Sequence, residues 1–204
     1  MEYFDLMAKE YDTDARMQRA KAIADEIRSH IAGGPAKTAL EFGCGTGLVG
    51  LRLLDDFQSI RFVDSSPEMI EQVRRKLLAL KKPTDAAICR DVMTGPPRDV
   101  SVDCVFSALV LHHIQDTKTI LSRLYHMLRQ DGRLLIVDIN TDGGNFHINH
   151  PGFDGHNGFD QSALIALALE AGFRTVKANT FYHGSKMAKE EEKPYSFFIL
   201  DAMR

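Results

Sequence analysis

LEFGCGTGLVG, residues 40–50, leaves a short apolar run, passes through three closely spaced glycines and opens toward sequence that suits a helix. Glycine reaches positive φ without strain and lacks the Cβ that would block a close ligand. Gly43, Gly45 and Gly47 therefore describe backbone pressed against a small molecule. The spacing predicts a helix beginning near Gly47, with its free N–H groups turned into the same space. Gly45, Gly47 and Gly50 also spell GxGxxG, which taken alone fits a dinucleotide.

Glu41 and the offset of the glycines separate these readings. In a dinucleotide site the first glycine follows the strand directly and the helix terminus receives a pyrophosphate. Here the strand ends on a carboxylate, and the GxGxG unit starts two residues later at Gly43. A buried carboxylate repels a diphosphate and attracts a cation. On these residues, LEFGCGTG resembles the first motif of the class I S-adenosylmethionine-dependent methyltransferases. The resemblance implies that Glu41 serves the methionine end of S-adenosylmethionine, a ligand with an ammonium and a sulfonium but no phosphate. The product would be S-adenosylhomocysteine.

The 204 residues, 44% hydrophobic and 26% charged, fit one globular domain spanning residues 1–204. A net charge of −3 and a pI of about 6.2 give no basic field for nucleic acid or an anionic membrane. No apolar segment approaches the ~18 residues of a membrane span, and the amino terminus lacks a signal-peptide core, so the expected location is cytoplasmic. Cys44, Cys89 and Cys104 are scattered without a CxxC, so neither a disulfide framework nor a zinc site is expected. Cys89 and Cys104 read as small core residues. The expected partner is a small-molecule substrate, with the chain a monomer or homodimer.

Residues 1–34 read as a cap segment followed by a helix. The first 14 form a flexible lead-in, and Ala20, Ile23, Ala24, Ile27 and Ile31 recur at helical spacing until Gly33-Gly34-Pro35. The resemblance places Tyr11 in a segment that folds over the cofactor and counts it among the substrate contacts. After the glycine loop, Leu48, Leu51, Leu53 and Leu54 predict a helix, and residues 60–63 a second strand that ends at Asp64. That position suits a carboxylate accepting both hydroxyls of a ribose, as in nucleoside sites generally. Ser66-Pro67-Glu68 then reads as N-cap, first-turn proline and first-turn acid. A third strand over residues 85–91 finishes on Asp91, so three successive strands end in acids along one crevice. The resemblance assigns Asp64 to the ribose, Met69 to the neighbourhood of the adenine, and Asp91 with the Val92 backbone to the adenine amino group. Gly43, Cys44, Gly45, Gly47, Ser65 and Ser107 complete the cofactor contacts that it implies.

Gly95-Pro96-Pro97 reads as a loop, and residues 102–114, VDCVFSALVLHHI, as a fourth strand ending in polar chemistry at Ser107, His112 and His113. Family members that methylate nucleobase or glutamine nitrogens carry [DN]PP[YF] here, whereas this chain has SALV. The LHHI phrase resembles that of small-molecule and ubiquinone-biosynthesis-like members. Adjacent side chains on a strand face opposite ways, so one histidine is expected to reach the site, with His113 the nominee for general base and His112 for substrate contact. A helix capped by Asp116, closed by Asp131-Gly132, and a fifth strand over residues 133–138 follow. Residues 140–159 lack periodicity and read as a substrate lid carrying His147, His150 and His156. The spacing of these histidines matches no compact metal motif, and no metal is expected. A helix starting at Asp160 and ended by Gly172 precedes two runs, residues 175–182 and 195–200. These pair as an antiparallel hairpin across a charged connector.

The expected fold is therefore α/β: a Rossmann-like, doubly wound, seven-stranded, mostly parallel sheet with a C-terminal antiparallel hairpin. The expected function is transfer of a methyl group from S-adenosylmethionine to a small-molecule O, N or C nucleophile. An NAD-type oxidoreductase and a non-catalytic S-adenosylmethionine-binding protein are the alternatives.

Overall fold

Five apolar runs form parallel strands: β1 (Thr38–Phe42), β2 (Ser59–Asp64), β3 (Ala87–Cys89), β4 (Val102–Ala108) and β5 (Leu128–Ile139). The chain ends in an antiparallel pair, β6 (Arg174–Ala188) and β7 (Glu191–Met203), of which β7 joins β5. The sheet order is β3-β2-β1-β4-β5-β7-β6. The computed structural model describes residues 2–31, 37–94, 100–150 and 152–204, so the expected breaks at Gly33-Gly34-Pro35 and Gly95-Pro96-Pro97 lie outside the described residues.

A parallel sheet must be covered on both faces because its strands carry apolar side chains above and below. The cover is α2 (Asp14–Ile31), α3 (Pro67–Ala79), α4 (Thr117–Met127) and α5 (Gln161–Glu170), and a short α1 (Glu2–Met7) packs on α3. Strand alternation sorts the core into two layers. Phe62, Phe106 and Leu135 join Ile23 and Ile27 of α2 and Ile70 and Val73 of α3. Val63, Val105 and Ile136 join Ile120 and Leu124 of α4 and Leu164 of α5. Each of the last three helices starts on a side-chain cap: Ser66 accepts from Met69 N at 3.1 Å, Asp116 from Thr119 N at 2.9 Å and Asp160 from Ala163 N at 2.9 Å. Strand order reverses at β1, which lies between β2 and β4, and the carboxyl ends of these strands open the crevice where such sheets bind ligands.

Several local expectations give way to tertiary contacts. The lead-in forms α1 and a 3-10 turn, Ala8–Glu10, and Asp12 beyond it accepts hydrogen bonds from Thr46 Oγ1 and Lys76 Nζ. That clasp holds the amino-terminal segment across the glycine loop. The helix expected near Gly47 shrinks to a 3-10 turn, Gly50–Leu53, because the Gly50 N–H goes to Glu41 Oε1 at 3.1 Å rather than to a helical carbonyl. β3 stops at Cys89, two residues short of Asp91, whose carboxylate instead caps the Met93 N–H at 2.7 Å. Because β3 is the sheet edge, Cys89 is exposed, whereas Cys104 is buried as expected. The fourth strand ends at Ala108, since Leu109 turns to φ 58°, and Leu111–His113 form a 3-10 turn. The helix after Asp116 hands over to β5 at Leu128, and the charged connector of the hairpin is itself strand up to Ala188 and from Glu191. Backbone pairing continues there, and side chains alternate between the two faces, with Glu190, Glu191 and Glu192 in solvent and Lys186 turned inward. Among the described residues no helix is long and apolar enough to cross a membrane.

Candidate active site

The loop after β1 turns back on itself at Gly43 (φ 68°), Gly45 (φ 51°) and Gly47 (φ 78°). Gly43 and Cys44 donate their N–H groups to Val63 O at 2.8 and 3.0 Å, which ties the loop to the end of β2. A Cβ on Gly43 would stand 2.5 Å from the Val110 side chain, so the close approach is built in. Beneath the loop, Glu41 is 2% exposed, and one of its oxygens, Oε2, has no hydrogen-bond partner. Burial pushes its carboxyl up to about 8, and the Gly50 N–H and Lys76 offset that only in part. Asp64 accepts from Gly45 N at 2.8 Å and from Ser66 N at 2.9 Å, and burial raises its carboxyl against the pull of these amides.

Above these acids lies a cavity of about 510 Å³. Of the residues singled out by sequence, it is lined by Tyr11, Glu41, Gly43, Cys44, Gly45, Asp64, Ser65, Met69, Asp91, Val92, His112, His113, His147 and His150. Three others are elsewhere. The Ser107 hydroxyl donates to Phe42 O at 2.9 Å, inside the sheet. Gly47 packs under the loop against Leu51 and Val73. His156 donates its backbone N–H to His112 O at 2.7 Å and sets its ring against Ile114 O at 3.0 Å, fastening residues 140–159 to the turn after β4.

That 3-10 turn corrects the expectation that only one of the paired histidines points inward. Their ring centroids are 4.1 Å apart and both rings line the cavity. His112 is buried, with Nδ1 2.7 Å from Asp138 Oδ1, while Asp138 also accepts the backbone N–H groups of His112 and Ile139 at 3.2 and 2.7 Å. Burial, with His112 beside it, lowers His113 to about 3, so its imidazole binds protons too weakly to be the neutral-pH base that the sequence suggested. His147 falls to about 4 for the same first reason, with His112 and Lys186 adding to it.

Sequence reasoning missed the basic side chains of the cavity wall. Arg16 and Arg19 reach it from α2 and Lys186 from β6. Arg16 lies 4.1 Å from the Tyr11 ring centroid, Arg19 5.9 Å and Lys186 3.8 Å from that of Phe146. Burial, then the two arginines, lower the Lys186 ammonium to about 8. The i, i+3 spacing of Arg16 and Arg19 on an otherwise apolar helix face was a usable signal; Lys186, in a charged connector, had none. Asp138 ended an apolar run as Glu41 and Asp64 do, and could have been found by the same rule.

Gly50 is the hinge of the acid's position. A Cβ there would stand 2.2 Å from Glu41 Oε2 and 2.7 Å from the Phe62 ring. Gly50→Ala is expected to lower the melting temperature and to weaken any ligand of Glu41 by about tenfold or more, as steric displacement of a buried side chain does. Isothermal titration beside a melting curve reads both effects.

Comparison with known proteins agrees with the geometry. Residues 40–134 match a family described as a methyltransferase domain. An uncharacterized methyltransferase of Schizosaccharomyces pombe is 29% identical over 160 residues, covering 74% of this chain and 54% of the relative. A malonyl-[acyl-carrier protein] O-methyltransferase of Halorhodospira halophila is 30% identical over 145 residues, covering 68% and 47%. The chain thus spans about half the length of these curated relatives. Among solved structures, phosphoethanolamine N-methyltransferase 2 of Haemonchus contortus, in complex with S-adenosyl-L-methionine, superposes with a TM-score of 0.70 at 15% identity, over 89% of this chain and 52% of that one. A methyltransferase of Thermotoga maritima, possibly a histamine N-methyltransferase, gives 0.68 at 18% identity over 98% and 97%. Glycine loop, sheet order and matched segment thus agree: over residues 40–134 the chain is similar to the methyltransferase-domain family, and it has the fold of the solved S-adenosylmethionine-dependent methyltransferases.

Proposed function

We propose that this chain holds S-adenosylmethionine on Glu41 and Asp64 and transfers the methyl in line to a small-molecule nucleophile that carries an acidic group. One observation carries the reading: the cavity is lined both by a buried, partly unpartnered acid and by basic side chains, Arg16, Arg19 and Lys186 among them. The orphaned Glu41 oxygen and the glycine cradle fit a ligand that brings its own ammonium close to the backbone. Asp64 spends one lone pair per oxygen on amides and keeps others for ribose hydroxyls. Met69, Asp91 and Val92 surround the proposed adenine position, and residues 140–159 form the proposed lid.

When bound, the cofactor supplies a methyl that is already electrophilic. The chain's task is to align donor and acceptor and to exclude water, and alignment can be worth ~7–11 kcal/mol. Arg16, Arg19 and Lys186 repel one another, and an anionic acceptor relieves that repulsion while fixing its own orientation. Phosphoethanolamine and malonyl groups, named for two of the similar proteins, are acids of this kind.

The test is a melting curve with S-adenosylhomocysteine and, separately, NADH. At about 100 times its Kd a ligand adds ~2.7 kcal/mol, so S-adenosylhomocysteine is expected to raise the midpoint by roughly 5–10 °C. Stabilisation by NADH instead returns the dinucleotide reading. With an acceptor in hand, Arg19→Ala is expected to raise its KM about tenfold or more, the value of a charged hydrogen bond, with S-adenosylhomocysteine affinity unchanged.

A further inference from the structure

Three imidazoles from two separate parts of the chain converge in the wall of the cavity. His112 and His113 stand on the 3-10 turn after β4, and His147 on a 3-10 turn, Asn145–His147, in the segment that follows β5. Each offers one ring nitrogen, and these atoms all lie within 4.8 Å of one another. Zinc–imidazole bonds of about 2.0–2.1 Å in a tetrahedron separate nitrogens by roughly 3.4 Å, so a closure of the order of 1 Å completes the site.

Two independent features distinguish the cluster from crowded core histidines. Asp138 holds His112 Nδ1 at 2.7 Å and is itself held by two backbone N–H groups, leaving Nε2 of that ring as the outward nitrogen. Ligating histidines are oriented by carboxylates in this manner. His147 Nδ1 is buried with no hydrogen-bond partner, although its ring is pinned flat against Phe153 with centroids 3.6 Å apart. A buried nitrogen left unpaired by a tightly packed ring calls for an occupant.

We propose that His112, His113 and His147 form a three-histidine site for a divalent transition-metal ion of the zinc type, with its remaining position facing the cavity. Nitrogen ligands suit zinc, iron, nickel and copper rather than magnesium or calcium. The three rings bring no negative charge, so the ion keeps its full charge toward the cavity. That suits a Lewis acid for an acceptor oxygen, a role that rests on the proposed methyl transfer, whereas the metal site itself does not. This set differs from the lid histidines considered in sequence, because the turn after β4 supplies two members of it.

The full chain, stripped with a chelator, is titrated with Zn2+ against a chromophoric competitor and with Co2+ for its visible absorption. One Zn2+ per chain is expected, with a Kd tighter than about 1 μM, and His113→Ala and His147→Asn are each expected to weaken it about 100-fold or more. His126→Ala, on the exposed face of α4, is expected to change nothing. Melting curves confirm that each variant folds, and His147→Asn, in a loop segment, keeps the test available should His113→Ala fail to fold. S-adenosylhomocysteine titrations run alongside separate the two ideas: a chain that binds this nucleoside but not Zn2+ refutes the metal site alone. Zn2+ affinity weaker than about 100 μM, or equal in wild type and both variants, overturns the proposal.

Discussion

Glu41→Gln is expected to weaken S-adenosylhomocysteine binding by about 30- to 150-fold, the ~2–3 kcal/mol of a hydrogen bond to a charged group. The glutamine can still accept from Gly50 N but carries no charge for an ammonium. Without ligand, burial raises Glu41 to about 8, so at pH 7 the acid is protonated. A bound ammonium draws it into the carboxylate form, and uptake of the ligand should release close to one proton, about what a pKa one unit above the pH implies. Calorimetry in two buffers of different ionisation enthalpy measures that release, and its absence in the wild-type chain would remove Glu41 from the cofactor.

The same shift sets a pH dependence of stability. The folded value lies above the unfolded value of 4.5, so between 4.5 and about 8 the folded chain holds a proton that the unfolded chain has lost. The contribution is complete below pH 4.5 and declines as pH rises through about 8, at up to ~1.4 kcal/mol per pH unit. Asp64, also raised by burial, acts in the same direction. Glu41→Gln should flatten the slope and make the empty protein more stable at pH 8 than wild type. Denaturation midpoints at pH 5.5 and 8 decide this, and parallel slopes for the two proteins would falsify it.

Asp138→Ala is expected to cause the largest loss of stability. It removes the acceptor from three buried donors, the backbone N–H groups of His112 and Ile139 and the His112 ring nitrogen. Each orphaned donor costs ~1–3 kcal/mol, so a total of about 3–5 kcal/mol follows, or a fall in melting temperature on the order of 10 °C. A loss under about 1 kcal/mol in chemical denaturation would mean that water or a rearranged turn replaces the carboxylate. Asp138→Asn keeps the shape and one acceptor oxygen, and should recover part of the loss.

Much of the architecture was readable because it depends on local patterns. Apolar runs ending in acids marked β1 and β2, and Ser66, Asp116 and Asp160 sat where the observed helices begin. Sequence periodicity failed where a distant partner claimed a backbone group. Glu41 took the Gly50 N–H that a regular helix would have used, and the positive φ of Leu109 turned an apparent strand into the bend that brings the His112 and His113 rings together.

By itself the amino-acid order determined the alternation of strands and helices, the glycine loop and the acids at the ends of the first two strands. Hydrophobic period and backbone freedom act between near neighbours, and a chain read in one dimension contains them in full. Only the tertiary structure decided that Arg16, Arg19 and Lys186 face one cavity, that Ser107 and His156 are spent on backbone carbonyls, and that His113 is a poor base. Those outcomes depend on burial and on charges brought together from residues up to 170 positions apart, as Arg16 and Lys186 are, and no local spacing encodes them.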